Sequence, residues 1–281
     1  MPFLAPALLL YGVFLIWPIL RTFYLSFFAW SGLPTEKPEF VGLRNYVYEF
    51  TQDPVFYTAL GNTLIWVVLS VLIPTALGLV LAMGLNRPLM GRNVMRSVLY
   101  IPAVLASIAV ATMWTWIYNP TLGLANALLA RVGLAHDWLG DPDTALYSVF
   151  IAFIWQSTGF AMVLFLAGLQ SVPAELIEAA KIDGANAWQR FRAVTIPALR
   201  PTLAVVIVLT IISSLKVFDL IVGMTGGGPA QSTQVLALWS YSQSLYNHQF
   251  GPGSALSVIL LAVTLILVVP YLVWTIKEDS K

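Results

Sequence analysis

The stretch EAAKIDGANAWQRFRAVTIPALRP, residues 178–201, is polar and regularly patterned, whereas most of the chain around it is apolar. Over the whole sequence 59% of the residues are hydrophobic and 10% are charged, and the mean hydropathy is +0.82. These values lie far from those of a soluble globular domain. We therefore predict a membrane protein in which residues 178–201 belong to a loop outside the hydrocarbon.

The overall charge and the absence of cysteine exclude several classes of function. A formal net charge of +1 offers no basic surface for nucleic acid, so no nucleic-acid partner is expected. With no Cys in the sequence, disulfides, thiolate metal sites and cysteine nucleophiles are all ruled out. The histidines His136 and His248 fall in predicted loops, where a lone His is usually solvated, so no metal site is predicted.

Apolar stretches are long enough to cross a bilayer in six places, because a helix of roughly 20 apolar residues spans the hydrocarbon core. They cover about residues 3–30, 59–85, 97–118, 145–170, 202–223 and 254–276. The first is too long for a signal peptide and has no basic start, so we predict a transmembrane span there. Proline residues within the spans predict kinks, at Pro18, Pro74, Pro102 and Pro270. The predicted fold is an all-α membrane protein, one domain over residues 1–281 with six transmembrane helices.

The distribution of Lys and Arg between the loops predicts the orientation. Loops 87–96 and 171–200, with the tail 277–281, hold nine basic residues, whereas loops 31–58, 119–144 and 224–253 hold three. Since basic loops stay in the cytoplasm, both termini and the loop 171–201 are predicted to be cytoplasmic.

The loop 171–201 has the pattern of a helix, a turn and a second helix. Pro173 suits the first turn of a helix, and Gly184 is placed to end that helix in a left-handed conformation. Trp188 lies on the apolar face of the second helix, which Pro197 and Pro201 are expected to end. These features also fit an ordinary amphipathic loop lying on lipid headgroups.

The same positions resemble the EAA motif of the membrane permease subunits of ABC importers. That motif reads Glu-Ala-Ala, three residues, Gly, nine to eleven residues, then an aliphatic residue and Pro. It is matched here by Glu178, Ala179, Ala180, Asp183, Gly184, Ile196 and Pro197. The resemblance implies a cytoplasmic coupling loop that docks on an ATPase subunit. No Gly-Lys dipeptide occurs in the sequence, so the chain lacks the phosphate-binding loop of such ATPases.

Further stretches narrow the resemblance to carbohydrate-uptake permeases of the maltose and glycerol-phosphate type. They are FVGLRNY (40–46), IPAVLASIAVATMWTWIYNPTLGLANALL (101–129), VFDLIVGMTGGGPAQST (217–233) and GPGSALSVIL (251–260). The resemblance implies a second homologous permease, two ATPase subunits that bind ATP and Mg²⁺, and an extracytoplasmic sugar-binding protein. It implies no cofactor or catalytic residue on this chain, and a multi-pass location in a bacterial or archaeal cytoplasmic membrane.

The resemblance also implies a sugar path along the fourth and fifth spans. The family contacts fall on Phe153, Ser157 and Phe160 and on Thr210, Ser213, Ser214 and Val217, with Gln156 as a further candidate. The spacings place each set on one helix face. Aromatic rings beside hydroxyls suit a sugar, but Ser and Thr also pack commonly between membrane helices.

Lys216 and Asp219 are charged residues inside the fifth apolar stretch. A charge at the bilayer centre costs about 2.5–3.5 kcal/mol on insertion scales, so each is expected to be paired or to face water. Their spacing of three residues permits an ion pair near the outer interface. The other interpretation is a contact in the substrate path, where Lys216 would meet an anionic substrate such as a phosphate.

Two other classes of function are disfavoured by what the sequence lacks. An ion-driven secondary transporter would not need the EAA loop and usually carries carboxylates in several spans. An intramembrane enzyme would need a nucleophile or metal set, and neither G-x-S-x-G nor H-E-x-x-H occurs. The sequence therefore favours a non-enzymatic transport subunit for a sugar, with a polyol or glycerol-3-phosphate-type substrate as the alternative.

Overall fold

The computed structural model describes the backbone of residues 4–279 and the side chains of residues 4–275. This part of the chain is built mainly of α-helices. The helices, numbered here in chain order, are α1 Ala5–Leu25, α2 Arg44–Thr51, α3 Phe56–Leu85, α4 Arg92–Val104, α5 Ser107–Ile117, α6 Leu124–Leu129, α7 Ala145–Gln170, α8 Ala174–Ile182, α9 Ala187–Ala198, α10 Arg200–Leu215, α11 Asp219–Met224, α12 Leu236–Tyr241 and α13 Phe250–Asp279. Two short antiparallel strands, β1 Phe28–Ala29 and β2 Glu39–Phe40, pair with Phe28 opposite Phe40.

Four of these helices are individually long and apolar enough to cross a membrane: α1, α3, α7 and residues Phe250–Thr275 of α13. Two pairs of helices pass the same test only together. The pair α4 and α5 is bent by 100°, and the pair α9 and α10 is bent by 68°. The chain therefore has up to six spans, if each bent pair counts as one crossing.

Several predicted spans differ from the observed helices. The stretch 97–118 is two helices rather than one, because Leu105 and Ala106 are extended, with ψ of 142° and 134°, and break the backbone ladder between α4 and α5. The stretch 202–223 is also interrupted, since α10 ends at Leu215 and α11 begins at Asp219. Helix α1 ends at Leu25 rather than at Trp30, because the chain turns into β1 at Phe28. The predicted start of this span at Phe3 lies outside the described residues.

Two of the predicted kink positions lie inside uninterrupted helices. Pro74 lies inside α3 and Pro270 inside α13, and neither interrupts its helix. Pro102 lies inside α4 and just before the sharp bend. A proline in a membrane helix is tolerated where neighbouring helices re-satisfy the freed carbonyl.

Helix α7 is the central element, packed against α3, α4, α5, α10 and α11. Glycines allow the closest approaches. A Cβ at Gly78 of α3 would lie 2.7 Å from the Ala161 Cβ of α7, and one at Gly159 of α7 would overlap the Leu99 carbonyl oxygen of α4. Half of α7 is buried within the chain, against 6% of α1. The sides of α1 therefore face lipid or another chain.

Candidate functional site

Two neighbouring cavities lie where α7 meets α10. The first, of about 70 Å³, is lined by Pro74, Phe153, Ser157, Phe160, Ala161, Leu164, Val206, Leu209, Thr210 and Ser213. The second, of about 150 Å³, is lined by Ser107, Phe153, Gln156, Ser213, Lys216, Val217, Phe218, Asp219 and Leu220. Phe153 and Ser213 line both. Together the walls contain every predicted path residue except Ser214.

The first cavity combines aromatic rings with hydroxyl groups. Ser157 donates a hydrogen bond to the Phe153 carbonyl at 2.7 Å, and the Phe153 ring is held against Trp66, with centroids 5.4 Å apart. Within the described part of the chain, the hydroxyls of Thr210 and Ser213 have no hydrogen-bond partner. These two hydroxyls are therefore available to a ligand that offers hydroxyl groups of its own.

The second cavity lies at the break in the fifth span. Lys216 follows the last residue of α10, Asp219 is the first residue of α11, and both are exposed. The ion pair that their spacing permits is not formed, since no nitrogen of Lys216 lies within 4.0 Å of an Asp219 oxygen in the described structure. Both charges instead remain free in the cavity wall.

Gln156 has a structural role at the bend between α4 and α5. Its side-chain nitrogen donates to the Leu105 carbonyl at 3.0 Å and to the Ser107 hydroxyl at 3.3 Å. Leu105 lies in the break between α4 and α5, so its carbonyl is outside the regular hydrogen bonding of a helix and needs another donor. The contact places Ser107 in the cavity wall. Sequence reasoning missed Ser107, although a serine within an apolar run is a recognised signal for a helix start.

Ser214 differs from its predicted neighbours. It is fully buried, and its hydroxyl donates to the Thr210 carbonyl at 2.6 Å. Because Ser214 is buried and lines neither cavity, it packs within the helix bundle rather than lining a path. Val217 is buried but does reach the second cavity.

The segment 171–201 folds as two helices joined by a tight turn. After α8, Gly184 has φ of +79°, Gly184 N–H donates to the Lys181 carbonyl and Ala185 N–H to the Ala180 carbonyl, each at 3.0 Å. This is the Schellman motif, which favours Gly at the left-handed position. Helix α9 then starts with a capping box in which the side chains of Asn186 and Gln189 bond each other's backbone N–H.

The end of α9 corrects one prediction. Pro197 does not end the second helix, because α9 continues through it to Ala198. The helix ends one residue after Pro197, and Pro201 lies in the first turn of α10, where its missing N–H costs nothing. The chain bends between these two helices, at Leu199.

The surface of this segment carries exposed apolar side chains. Ile182 is 87% exposed, and Trp188, on the predicted apolar face of the second helix, is 67% exposed. Of the motif residues, Glu178, Ala179, Asp183, Gly184 and Pro197 are exposed, while Ala180 and Ile196 are half-buried. Large apolar side chains exposed in a polar loop typically mark a protein contact. The described residues contain no group of three or more His, Cys, Asp or Glu that could hold a metal ion.

The chain belongs to the family of binding-protein-dependent transport system inner membrane components, whose family model matches residues 75–275. A probable ABC transporter permease of Pyrococcus horikoshii is 39% identical over 283 residues, covering 99% of this chain and 96% of that protein. The trehalose/maltose transport system permease protein MalF of Thermococcus litoralis is 39% identical over 269 residues, covering 95% of this chain and 90% of that protein.

The solved structures agree on the fold. A chain of the bacterial alginate ABC transporter, crystallised with its alginate pentasaccharide-bound periplasmic protein, superposes with a TM-score of 0.84. The identity is 24%, and the match covers 96% of this chain and 91% of that chain. The resemblance to ABC importer permeases of the carbohydrate-uptake type is thus confirmed, and the chain is a multi-pass component of a transport system.

Proposed function

We propose that this chain forms half of the membrane path of an ATP-driven importer and that its cargo is a sugar, either a mono- or an oligosaccharide. The observation that carries the proposal is the pair of neighbouring cavities between α7 and α10, where aromatic rings and free hydroxyls share one wall. A sugar presents an apolar C–H face and a hydroxyl rim, which Phe153 and the Thr210 and Ser213 hydroxyls complement. The name of the Thermococcus litoralis relative, a trehalose/maltose permease, supports the same substrate class.

A polyol or a glycerol-3-phosphate-type compound is the second candidate substrate. Lys216 lines the second cavity without an ion-pair partner among the described residues. A free ammonium group beside a polar cavity is suited to a phosphate. The carboxyl group of Asp219 lies in the same wall and would repel a phosphate, so we prefer a neutral sugar as the substrate.

The proposed complex contains this chain as a single permease domain (residues 1–281), a second homologous permease, two ATPase subunits and an extracytoplasmic sugar-binding protein. ATP and Mg²⁺ would be bound by the ATPase subunits, and this chain would catalyse no reaction. Both termini and the segment 171–201 would lie in the cytoplasm of a bacterial or archaeal cell. The outer loops 31–58, 119–144 and 224–253 would meet the binding protein.

The segment 171–201 would dock on an ATPase subunit and transmit its closure to the spans. Ile182 and Trp188 would supply the apolar part of that contact, and Glu178 beside the small Ala179 would accept hydrogen bonds from it. Because only Leu199 separates α9 from α10, movement of the segment would reach Thr210 and Ser213 through two directly connected helices.

The test is purification of the complex by a tag on this chain, followed by ATPase assays with the sugar-binding protein and a panel of sugars and glycerophosphates. We expect an ATPase subunit to co-purify and one loaded binding protein to stimulate hydrolysis. Absence of any ATPase subunit, or sugar uptake that persists without it, would contradict the proposal and favour an ion-driven transporter.

A further inference from the structure

One turn before the end of α1 lies a guanidinium group that the rest of the described chain leaves without a partner. Arg21 is exposed, lies one turn before the end of α1 at Leu25, and makes no hydrogen bond or ion pair with any described residue. Glu36 and Glu39 in the following loop are the nearest acidic residues in sequence, and neither is within ion-pair distance of it. A charged side chain on a membrane-spanning helix is expected to find an anionic partner or reach the headgroups.

Arg21 forms one wall of an otherwise apolar cavity of about 590 Å³. The remaining walls come from α1 and from the loop that follows it. They are Trp17, Leu20, Tyr24, Leu25, Trp30 and Pro38. The cavity thus combines a single cation with surfaces that favour hydrocarbon, and aromatic residues of this kind concentrate where hydrocarbon meets headgroups.

Contacts outside the cavity hold its aromatic walls in place. The Trp30 indole N–H donates to the carbonyls of Leu33 at 3.2 Å and Glu36 at 3.1 Å, and its ring packs against Phe250, with centroids 5.5 Å apart. The Tyr24 ring packs on Phe28 of β1 at 4.4 Å. The hairpin and α13 therefore fix the shape of the cavity before any ligand enters.

We propose that this cavity binds one phospholipid, with the phosphate on the Arg21 guanidinium and an acyl chain against Trp17 and Leu20. The charge is complementary to a phosphate, which an Arg fork binds through two N–H groups. The apolar walls distinguish a lipid from a free anion, because inorganic phosphate would gain nothing from them. Only 6% of the α1 span is buried within the chain, so lipid can reach the cavity from the side.

The test is native mass spectrometry of the purified, delipidated complex titrated with phosphatidylglycerol. We expect Arg21→Gln to weaken the tightest lipid-binding step by about tenfold or more, and Arg21→Lys to weaken it less, because Lys keeps the charge but loses the fork. Trp17→Ala should also weaken it. Arg92→Gln, which removes an Arg at the start of α4 outside the cavity, is the control and should leave it unchanged.

Three results would overturn the proposal. Equal lipid binding by the wild type, Arg21→Gln and Arg21→Lys would exclude Arg21 as the phosphate ligand. Loss of the second permease from the Arg21→Gln complex, with lipid binding unchanged, would assign Arg21 to a carboxylate of that subunit instead. The third result concerns inorganic phosphate. If Arg21→Gln weakens phosphate binding as much as lipid binding, and Trp17→Ala does not weaken it, the cavity is a simple anion site.

Discussion

Gly184 is a residue whose backbone conformation limits substitution. Its φ of +79° lies in the left-handed region, and the turn between α8 and α9 depends on it. A Cβ there meets no neighbour within 4 Å, so the cost of replacing it is conformational rather than steric. That cost is about 1–2 kcal/mol for an L-residue.

We predict that Gly184→Ala uncouples ATP hydrolysis from sugar uptake while the protein still inserts, because the turn between the proposed docking helices shifts. The ratio of ATP hydrolysed to sugar taken up, measured in proteoliposomes, should rise. Gly133→Ala is the matched control, with φ of +73°, equally open space and a place in the loop after α6. If both variants behave alike, the turn at Gly184 has no special role in coupling.

Glu49 carries the largest resolved change in acidity outside the spans. It is fully buried in α2, and burial, with the neighbouring Asp53 carboxyl, raises the pKa of Glu49 from its ordinary value of 4.5 to about 9. Asp53 in turn accepts hydrogen bonds from the Val55 N–H and the Trp239 indole N–H. The pair thus links α2 and the residues after it to α12.

Because its pKa is raised, Glu49 keeps its proton in the folded state between pH 4.5 and about 9, whereas in the unfolded chain Glu49 loses the proton above pH 4.5. Stability from this group is therefore greatest at low pH and falls as the pH rises toward 9, by up to about 1.4 kcal/mol per pH unit. We predict that Glu49→Gln, which mimics the neutral form, flattens the dependence of Tm on pH. Glu39→Gln, at an exposed carboxyl in β2, should not. An unchanged pH dependence in Glu49→Gln would mean that Glu49 is ionised when folded.

At the level of secondary structure, α7 positions both cavities through close helix contacts. Gly159 allows α4 to approach so closely that any Cβ would overlap the Leu99 carbonyl oxygen. The atoms in the way belong to the backbone of α4, which cannot move aside as the end of a flexible side chain could. The bend between α4 and α5, held by Gln156 from the same face of α7, depends on that approach.

We predict that Gly159→Ala destabilises the protein by about 1–3 kcal/mol, the usual cost of overpacking. Gly61→Ala in α3 is the control, because a Cβ there meets nothing within 4 Å and Ala is the better helix former by about 1 kcal/mol. Thermal unfolding of both variants in detergent gives the comparison. A Gly159→Ala protein as stable as Gly61→Ala would show that α4 can move away freely.

The helices that the sequence predicted best are those with uninterrupted apolar runs. Helix α7 spans residues 145–170, as its charge-free run indicates, and α3 begins three residues before its predicted start. The bend after Val104 was indicated only by the kink predicted at Pro102, because Leu105 and Ala106 are apolar and unmarked by Gly. At the break after Leu215 the signal was present in Lys216 and Asp219, but their spacing was interpreted as an ion pair within one helix.

At the level of the whole molecule, composition predicted the membrane setting and the family resemblance predicted which helices would meet. Neither composition nor the resemblance predicted that Ile182 and Trp188 would be exposed, because exposure depends on how α8 and α9 pack against each other. The same limit applies to α1, whose exposed sides indicate surroundings that one chain cannot supply. These exposed sides fit the proposal that the chain forms half of a path.

Two adjacent serines test the central claim most directly. Ser213 lines both cavities with a free hydroxyl, whereas the Ser214 hydroxyl is buried and bonded within α10. The measurement is uptake of labelled sugar into proteoliposomes containing the whole complex and loaded binding protein. Loss of one hydrogen bond to a sugar predicts that Ser213→Ala transports roughly 3–10-fold more slowly while its ATPase is still stimulated. Ser214→Ala should transport normally. A sugar path between α7 and α10 would be contradicted if Ser213→Ala took up sugar at the wild-type rate, or if Ser214→Ala slowed uptake more than Ser213→Ala.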